Sequence, residues 1–189
     1  MLEILNDHDF ENFRKLIYDE SGITFSATNR SILDSRIKEL LRLKQVQTPA
    51  EYYGMVLRNP EELKVMLDSV TTNLTRFFRN QPHFDALVNY VIPNIIEEKK
   101  ALGVDKTIRI WSAGCSTGEE PYTIAILMKE ICPPDFKFQI TASDISLKSL
   151  MVGQKGFYTD TKVDDVPSQY LAKYFTKVED GYQVKKELI

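Results

Sequence analysis

The residues best placed to do chemistry lie in one run, Ile108 to Ala125, which reads I-R-I-W-S-A-G-C-S-T-G-E-E-P-Y-T-I-A. Thr107 to Trp111 has the β-branched density of a buried strand, Gly114 to Gly118 make a tight turn, and Pro121 sits where the first turn of a helix tolerates proline. Strand, glycine turn and helix in that order resemble a phosphate-binding loop, because a helix amino-terminus attracts anions. Here, however, Glu119 and Glu120 occupy the place of the phosphate and would repel one. The ligand is therefore expected to carry positive charge. No lysine follows Gly118, as a Walker loop requires, and the dinucleotide pattern G-x-G-x-x-G is absent. S-adenosylmethionine fits better: its sulfonium and ammonium are cationic, and it has a ribose but no phosphate.

A second strand, Phe138 to Ala142, runs into Ser143-Asp144-Ile145-Ser146. An acid at the carboxyl edge of the next strand of a βαβ unit can accept hydrogen bonds from both ribose hydroxyls. The plainer reading is that Asp144 or Ser146 merely caps the helix that follows, and pairing with the upstream turn weighs against it. Between Gly114 and Asp144 there is room for one helix, Tyr122 to Ile131, and a loop broken by Pro133 and Pro134. The catalytic repertoire is otherwise sparse. His8 and His83 are the only histidines, no Cys/His cluster has metal-ligand spacing, and no nucleophile triad can be assembled, so no metal is expected and no catalytic residue is assigned. Cys115 and Cys132 are too few to staple a domain, and Cys115 reads as a small packing residue in the turn.

These residues need elements to hold them. The first 70 residues read as helices: Asp9 to Asp19 with Phe10, Phe13, Leu16 and Ile17 on one stripe ended by Gly22, then Ala27 to Leu43 with Ile32, Leu33, Ile37, Leu40 and Leu41 facing inward. The second helix carries Arg30, Arg36, Lys38, Arg42 and Lys44 against only Asp34 and Glu39. That charge is either a solvated face or a binding face. Thr48-Pro49 and Asn59-Pro60-Glu61-Glu62 start two short helices, Pro49 to Leu57 and Pro60 to Val70. Phe84 to Lys100 follows, with Leu87, Val91, Ile95 and Ile96 spaced for burial. Beyond Asp144, Leu147 to Val152 is expected to be helical up to the breakers Gly153 and Gly156. Tyr170 to Phe175, Gly181-Tyr182 and Val184 to Leu188 then read as a small helix and an antiparallel hairpin. With 43% hydrophobic residues, a formal charge of −3 and no apolar run near 18 residues, the chain reads as a cytoplasmic globular protein that does not insert in a membrane.

Three segments together resemble the chemoreceptor glutamate O-methyltransferases, the CheR family: T-T-N-L-T-R-F-F-R-N from Thr71 to Asn80, W-S-A-G-C-S-T-G-E-E-P-Y from Trp111 to Tyr122, and A-S-D-I-S from Ala142 to Ser146. The resemblance implies an α/β protein: a small all-α receptor-recognition domain at 1–72, a motif and linker helix at 73–106, and a Rossmann-like S-adenosylmethionine-dependent methyltransferase domain at 107–189. An antiparallel β subdomain is inserted at 157–189. It also implies that the domain is incomplete, since Ile189 falls where further sheet strands would begin, and that the strand at Thr107 to Trp111 offers an edge for self-association.

Carried over residue by residue, Asn73, Thr75, Arg79, Gly114, Glu119 and Asp144 belong to the cofactor site. Arg79 would neutralise the methionyl carboxylate, Glu119 would answer the ammonium and Asp144 the ribose. Arg36, Lys38 and Arg42 are the expected contacts to the cytoplasmic helices of methyl-accepting chemotaxis receptors, whose glutamates would be esterified for sensory adaptation, leaving S-adenosylhomocysteine. Such a reaction needs no general base, because a carboxylate is already ionised at neutral pH. Family members that dock a tethering pentapeptide carry a longer, glycine-rich loop than Thr176 to Asp180, so no such tether is expected here. A non-catalytic receptor-binding or cofactor-sensing module with a vestigial pocket is the rival reading. A nucleic-acid methyltransferase is disfavoured by the acidic charge, and no nucleic-acid partner is expected.

Overall fold

The computed structural model describes residues 3–71 and 75–188. The chain divides into two compact units, 1–72 and 73–189. Asn73, one of the expected site residues, lies outside the described residues.

The first unit is all helical. α1 (Asp7–Ser21) starts on Asn6, whose side chain accepts the Asp9 N–H, and stops at Gly22 in the left-handed region. α2 (Arg30–Lys44) follows a single 3-10 turn at Ala27–Asn29. α3 (Pro49–Arg58) is opened by a reciprocal Thr48/Glu51 capping box, and α4 (Pro60–Val70) by Asn59, which accepts from the N–H groups of Glu61 and Glu62. Phe13, Ile17, Leu33, Ile37, Tyr52 and Met66 meet in the core with no measurable exposure. Ile32, expected to face inward, is 47% exposed, because the buried arc of α2 is centred on Leu33, Ile37, Leu40 and Leu41 and one residue is 100° of rotation. Two acids are built into this core: Asp34 accepts the N–H groups of Ile4 and Leu5, and Glu62 accepts from the Tyr52 hydroxyl and pairs with Lys44.

The second unit opens with a long rod. α5 (Gln81–Ala86), a π turn at Leu87–Val91 and α6 (Ile92–Leu102) run on without a break. Pro93 explains the widened turn, since it has no N–H to donate and its ring would strike the carbonyl four residues back. The extra residue rotates the register, so Ile92 is buried and Val91, expected inside, is exposed.

β1 (Thr107–Ala113) and β2 (Lys137–Ser143) pair in parallel, Thr107 opposite Lys137 and Ala113 opposite Ser143, with α7 (Glu119–Ile131) as the crossover. Ile108, Phe84, Ile92, Ile124, Met128 and Phe136 form the core beneath them. Among the described residues this sheet has only these strands. α8 (Leu147–Lys155) then leads into β3 (Phe157–Tyr158), a 3-10 turn at Asp160–Lys162, α9 (Ser168–Tyr174), β4 (Phe175–Val178) and β5 (Gly181–Val184), and the antiparallel sheet has the order β3-β5-β4. Three details depart from the sequence reading. Gly153 lies inside α8 and does not end it, Thr176 to Val178 belong to a strand and not a loop, and the final strand stops at Val184, with Lys186–Leu188 in a 3-10 turn. The expected architecture holds: an all-α unit, then an α/β unit with a parallel sheet and a small antiparallel one. Among the described residues no helix is long and apolar enough to cross a membrane.

Candidate functional site

The turn between β1 and α7 is fixed from both sides. The N–H groups of Gly114 and Cys115 both donate to the Ser143 carbonyl, at 2.8 and 2.9 Å, which ties the turn to the end of β2. Gly114 has a φ of 77°, and a Cβ placed there would meet no atom within 4 Å, so the backbone is bare toward open space. Gly118, the residue before α7, has a φ of 94°, and a Cβ there would come within 2.9 Å of the Tyr158 hydroxyl and 3.0 Å of the Gly153 Cα. The first glycine leaves room for a ligand, while the second lets α8 and β3 close on the turn from behind.

Asp144 is half-buried at the end of β2. Its Oδ2 accepts the Ser116 N–H at 2.7 Å and its Oδ1 the Ser146 N–H at 2.8 Å. The cap of α8 is the Ser146 hydroxyl, which accepts the Ser149 N–H. Each Asp144 oxygen keeps a lone pair beyond the one it uses here.

The two glutamates part company. Glu119 has no exposed surface at all; its Oε2 accepts from the Thr117 hydroxyl at 2.6 Å and its Oε1 from the Lys162 ammonium at 3.0 Å. The expectation that Glu119 answers the ligand's ammonium therefore meets a carboxylate already neutralised inside the protein. Its neighbour Glu120 is exposed, and its Oε1 accepts from the Ser112 hydroxyl at the end of β1. Both acids sit in the first turn of α7, where the helix dipole favours negative charge. Sequence reasoning missed Glu120 as the open acid. The only signal available was a spacing of one residue, which turns a helical side chain by 100°.

A third segment, residues 75–80, is hung on α7. The Thr123 hydroxyl donates to the Glu119 carbonyl at 2.7 Å and accepts the Phe78 N–H at 3.1 Å. Phe77 is buried against Tyr158 and Phe175, and Phe78 stacks on Tyr170, so both rings are packing groups. Phe78 and Asn80, on either side of the exposed Arg79, have φ values of 54° and 63°, and Ser116 in the glycine turn has 47°. Side chains rarely adopt this region, and strain of about 1 to 3 kcal/mol per residue collects where function requires a particular backbone shape. The fourth such residue, Gln45, caps α2 in the other unit. Thr75 is half-buried in the same segment.

The expected receptor contacts are in the other unit, on α2. Arg30 is held by Asp7, Glu3 and the Leu5 carbonyl, and Lys44 by Glu62, which removes both from the basic face. Arg36 lies 3.9 Å from Glu39. Lys38 and Arg42 are exposed one helical turn apart, on the same side of α2.

The residues of the second unit fit S-adenosylmethionine. Gly114 leaves a bare backbone cradle, Glu120 and Asp144 supply open acceptors for cationic and hydroxyl groups, and no lysine of a phosphate loop is present. The Ser116 hydroxyl is buried and without a hydrogen-bond partner among the described residues, which leaves a polar atom at the turn for a ligand to satisfy. A cavity of about 380 Å³ opens beside the turn, lined by Ser116, Tyr122, Ile140, Ala142, Leu150 and Leu188 among others. Its walls are mainly apolar, and none of Thr75, Arg79, Gly114, Glu119 and Asp144 lines it. Among the described residues no cluster could hold a metal ion.

Comparison with known proteins points to the same cofactor. Residues 73–189 match the model described as CheR methyltransferase, SAM binding domain, and residues 8–71 the one described as CheR methyltransferase, all-alpha domain. The chain belongs to the CheR methyltransferase family. S-adenosylmethionine is accordingly the cofactor of the second unit. Among CheR relatives, a chemotaxis protein methyltransferase of Borreliella burgdorferi is 36% identical over 92% of this chain and 63% of its own length. Chemotaxis protein methyltransferase 2 of Vibrio cholerae is 32% identical over 96% of this chain and 63% of its own length. The chemotaxis protein methyltransferase of Escherichia coli is 30% identical over 92% and 58%. The chain thus spans under two thirds of the length of these CheR relatives.

Proposed function

We propose that this chain serves cytoplasmic methyl transfer from S-adenosylmethionine to glutamate side chains of chemotaxis receptors, forming methyl esters. The observation that carries the reading is the pair of carboxylates beside one glycine turn, Glu120 exposed in the first turn of α7 and Asp144 holding the Ser116 N–H, with no lysine following Gly118 as a phosphate loop requires. The names of the relatives, chemotaxis protein methyltransferases, supply the sensory context. When bound, S-adenosylmethionine supplies a methyl group on a positively charged sulfur. Glu120 would hold the ammonium, Asp144 the ribose hydroxyls and Arg79 the terminal carboxylate, with Gly114 giving the backbone approach; Thr75 and Asn73 are assigned to the cofactor by the family resemblance alone.

The chain's own task is alignment. A receptor glutamate is ionised at pH 7 and needs no base, which suits a turn that offers carboxylates, serines and backbone. Orientation of bound reactants is worth effective molarities of about 10⁵ M or more. Lys38 and Arg42 are the proposed receptor contacts, with Arg36 in a lesser part because Glu39 stands close to it. The turn between β4 and β5 is only Glu179-Asp180, which supports the expectation that no pentapeptide tether docks there.

The test is titration of S-adenosylhomocysteine into the purified chain, followed by tritium transfer from labelled S-adenosylmethionine to a receptor cytoplasmic fragment. Binding with transfer supports the reading. Binding without transfer favours a cofactor-sensing module, and binding of ATP or NAD in its place defeats the acidic-mouth assignment.

A further inference from the structure

The antiparallel subdomain reaches back to the cofactor turn through two side chains. Tyr158, on β3, donates its hydroxyl to the Thr117 carbonyl at 2.7 Å. Lys162, on the following 3-10 turn, donates to Glu119 Oε1 at 3.0 Å, and Glu119 in turn holds the Thr117 hydroxyl. The burial is lopsided: the lysine side chain is 44% exposed, its partner 0%. Lys162 therefore stands as a stopper between a fully enclosed carboxylate and water. The 3-10 turn is itself anchored, since Asp160 pairs with Lys177 on β4.

An ion pair with one buried partner is a poor source of net stability, because the cost of taking the carboxylate out of water offsets much of the attraction. What such a pair does supply is geometry, and this one lies directly beneath Thr117. That residue is flanked by Ser116, which donates to Asp144, and by Gly118, where α7 begins.

We propose that Lys162 is a positioning residue for the cofactor turn: by neutralising Glu119 it holds residues 115–118 in the shape that aims Asp144 and Glu120 at the ligand. This rests on the cofactor assignment above, but the structural half of it does not. Glu119 is on this account a strut and not a ligand, and the antiparallel subdomain is a brace for the methyl-donor site in addition to any partner it meets.

Four variants of the full chain test the proposal: Lys162→Met, Glu119→Gln, both together, and Lys162→Arg. Two readouts are followed, the dissociation constant for S-adenosylhomocysteine by calorimetry and the alkylation rate of Cys115 without any cofactor. Cys115 is 3% exposed within the turn, so its labelling, read by mass spectrometry, reports turn order directly. Lys162→Met strands a buried charge and is expected to weaken binding at least about tenfold and to raise Cys115 labelling by a similar factor. The double variant removes that charge and is expected to return both readouts to within about threefold of the parent, and Lys162→Arg to do the same.

The proposal is overturned if Lys162→Met leaves Cys115 as protected as before, or if the double variant is as impaired as the two single losses multiplied. It is equally overturned if Glu119→Gln abolishes binding while Lys162→Met does not, which would make Glu119 a direct ligand. Should the parent chain ignore S-adenosylhomocysteine while the thiol pattern holds, the methyltransferase reading fails and the brace stands.

Discussion

At the scale of single residues, adjacent glutamates have opposite fates because of what surrounds them. Glu119 is enclosed by Thr117 and Lys162, and Glu120 touches Ser112 and solvent. Glu120→Gln is expected to weaken S-adenosylhomocysteine by about ten- to a hundredfold in calorimetry, since a hydrogen bond to a charged group contributes about 1.5 to 3 kcal/mol. Asp144→Asn should lower both affinity and melting temperature, because an amide has one acceptor oxygen for the N–H groups of Ser116 and Ser146 that the carboxylate now shares. Burial, and then the charge of Asp144, push the Cys115 thiol above its usual value. Native protein at pH 8 should therefore resist iodoacetamide at this position and lose that protection on unfolding, and rapid labelling of the folded chain would contradict the packing described. The clustering of acids at the turn is legible in the sequence from Glu119, Glu120 and Asp144. Which glutamate opens outward is not, because the deciding partner, Lys162, is 43 residues away.

At the scale of elements, punctuation residues carry most of what a reader of the sequence can see. Gly22, Thr48, Asn59 and the prolines at 49 and 60 mark helix ends within a residue or so, since capping is local chemistry. The π turn ahead of Pro93 was not legible, since a proline in a helical pattern announces a disturbance but not whether the helix stops, kinks or widens. The same applies to Gly153, whose place inside α8 depends on the close approach of Thr117 and Gly118. Gly118→Ala combines a disfavoured φ of 94° with a contact of 2.9 Å to Tyr158. It should cost at least about 1 kcal/mol, read as a melting temperature lower by about 2 to 4 °C. An unchanged transition would mean that Tyr158 yields easily and does not clamp the turn.

At the scale of the whole molecule, charge is sorted by role. The net −3 is spread over a chain whose second helix is basic, and the structure subtracts Arg30 and Lys44 from that basic face by pairing them internally. The double change Lys38→Glu and Arg42→Glu is expected to reduce capture of a receptor fragment at least about tenfold at low salt, to shrink the salt dependence of that capture, and to leave S-adenosylhomocysteine affinity as it was. Equal losses in both assays would defeat a division of labour between the units. The change from an all-α to an α/β pattern was legible because helices give way to strand, glycine turn and helix, a change of period that survives without any tertiary information. There is also an order in time. Thr117 is gripped by Tyr158 from 41 positions further along the chain, and Glu119 by Lys162 from 43. A ribosome delivers the loop first and its fastening later, so a nascent chain that ends before Lys162 carries the turn and its acids without the brace proposed for them.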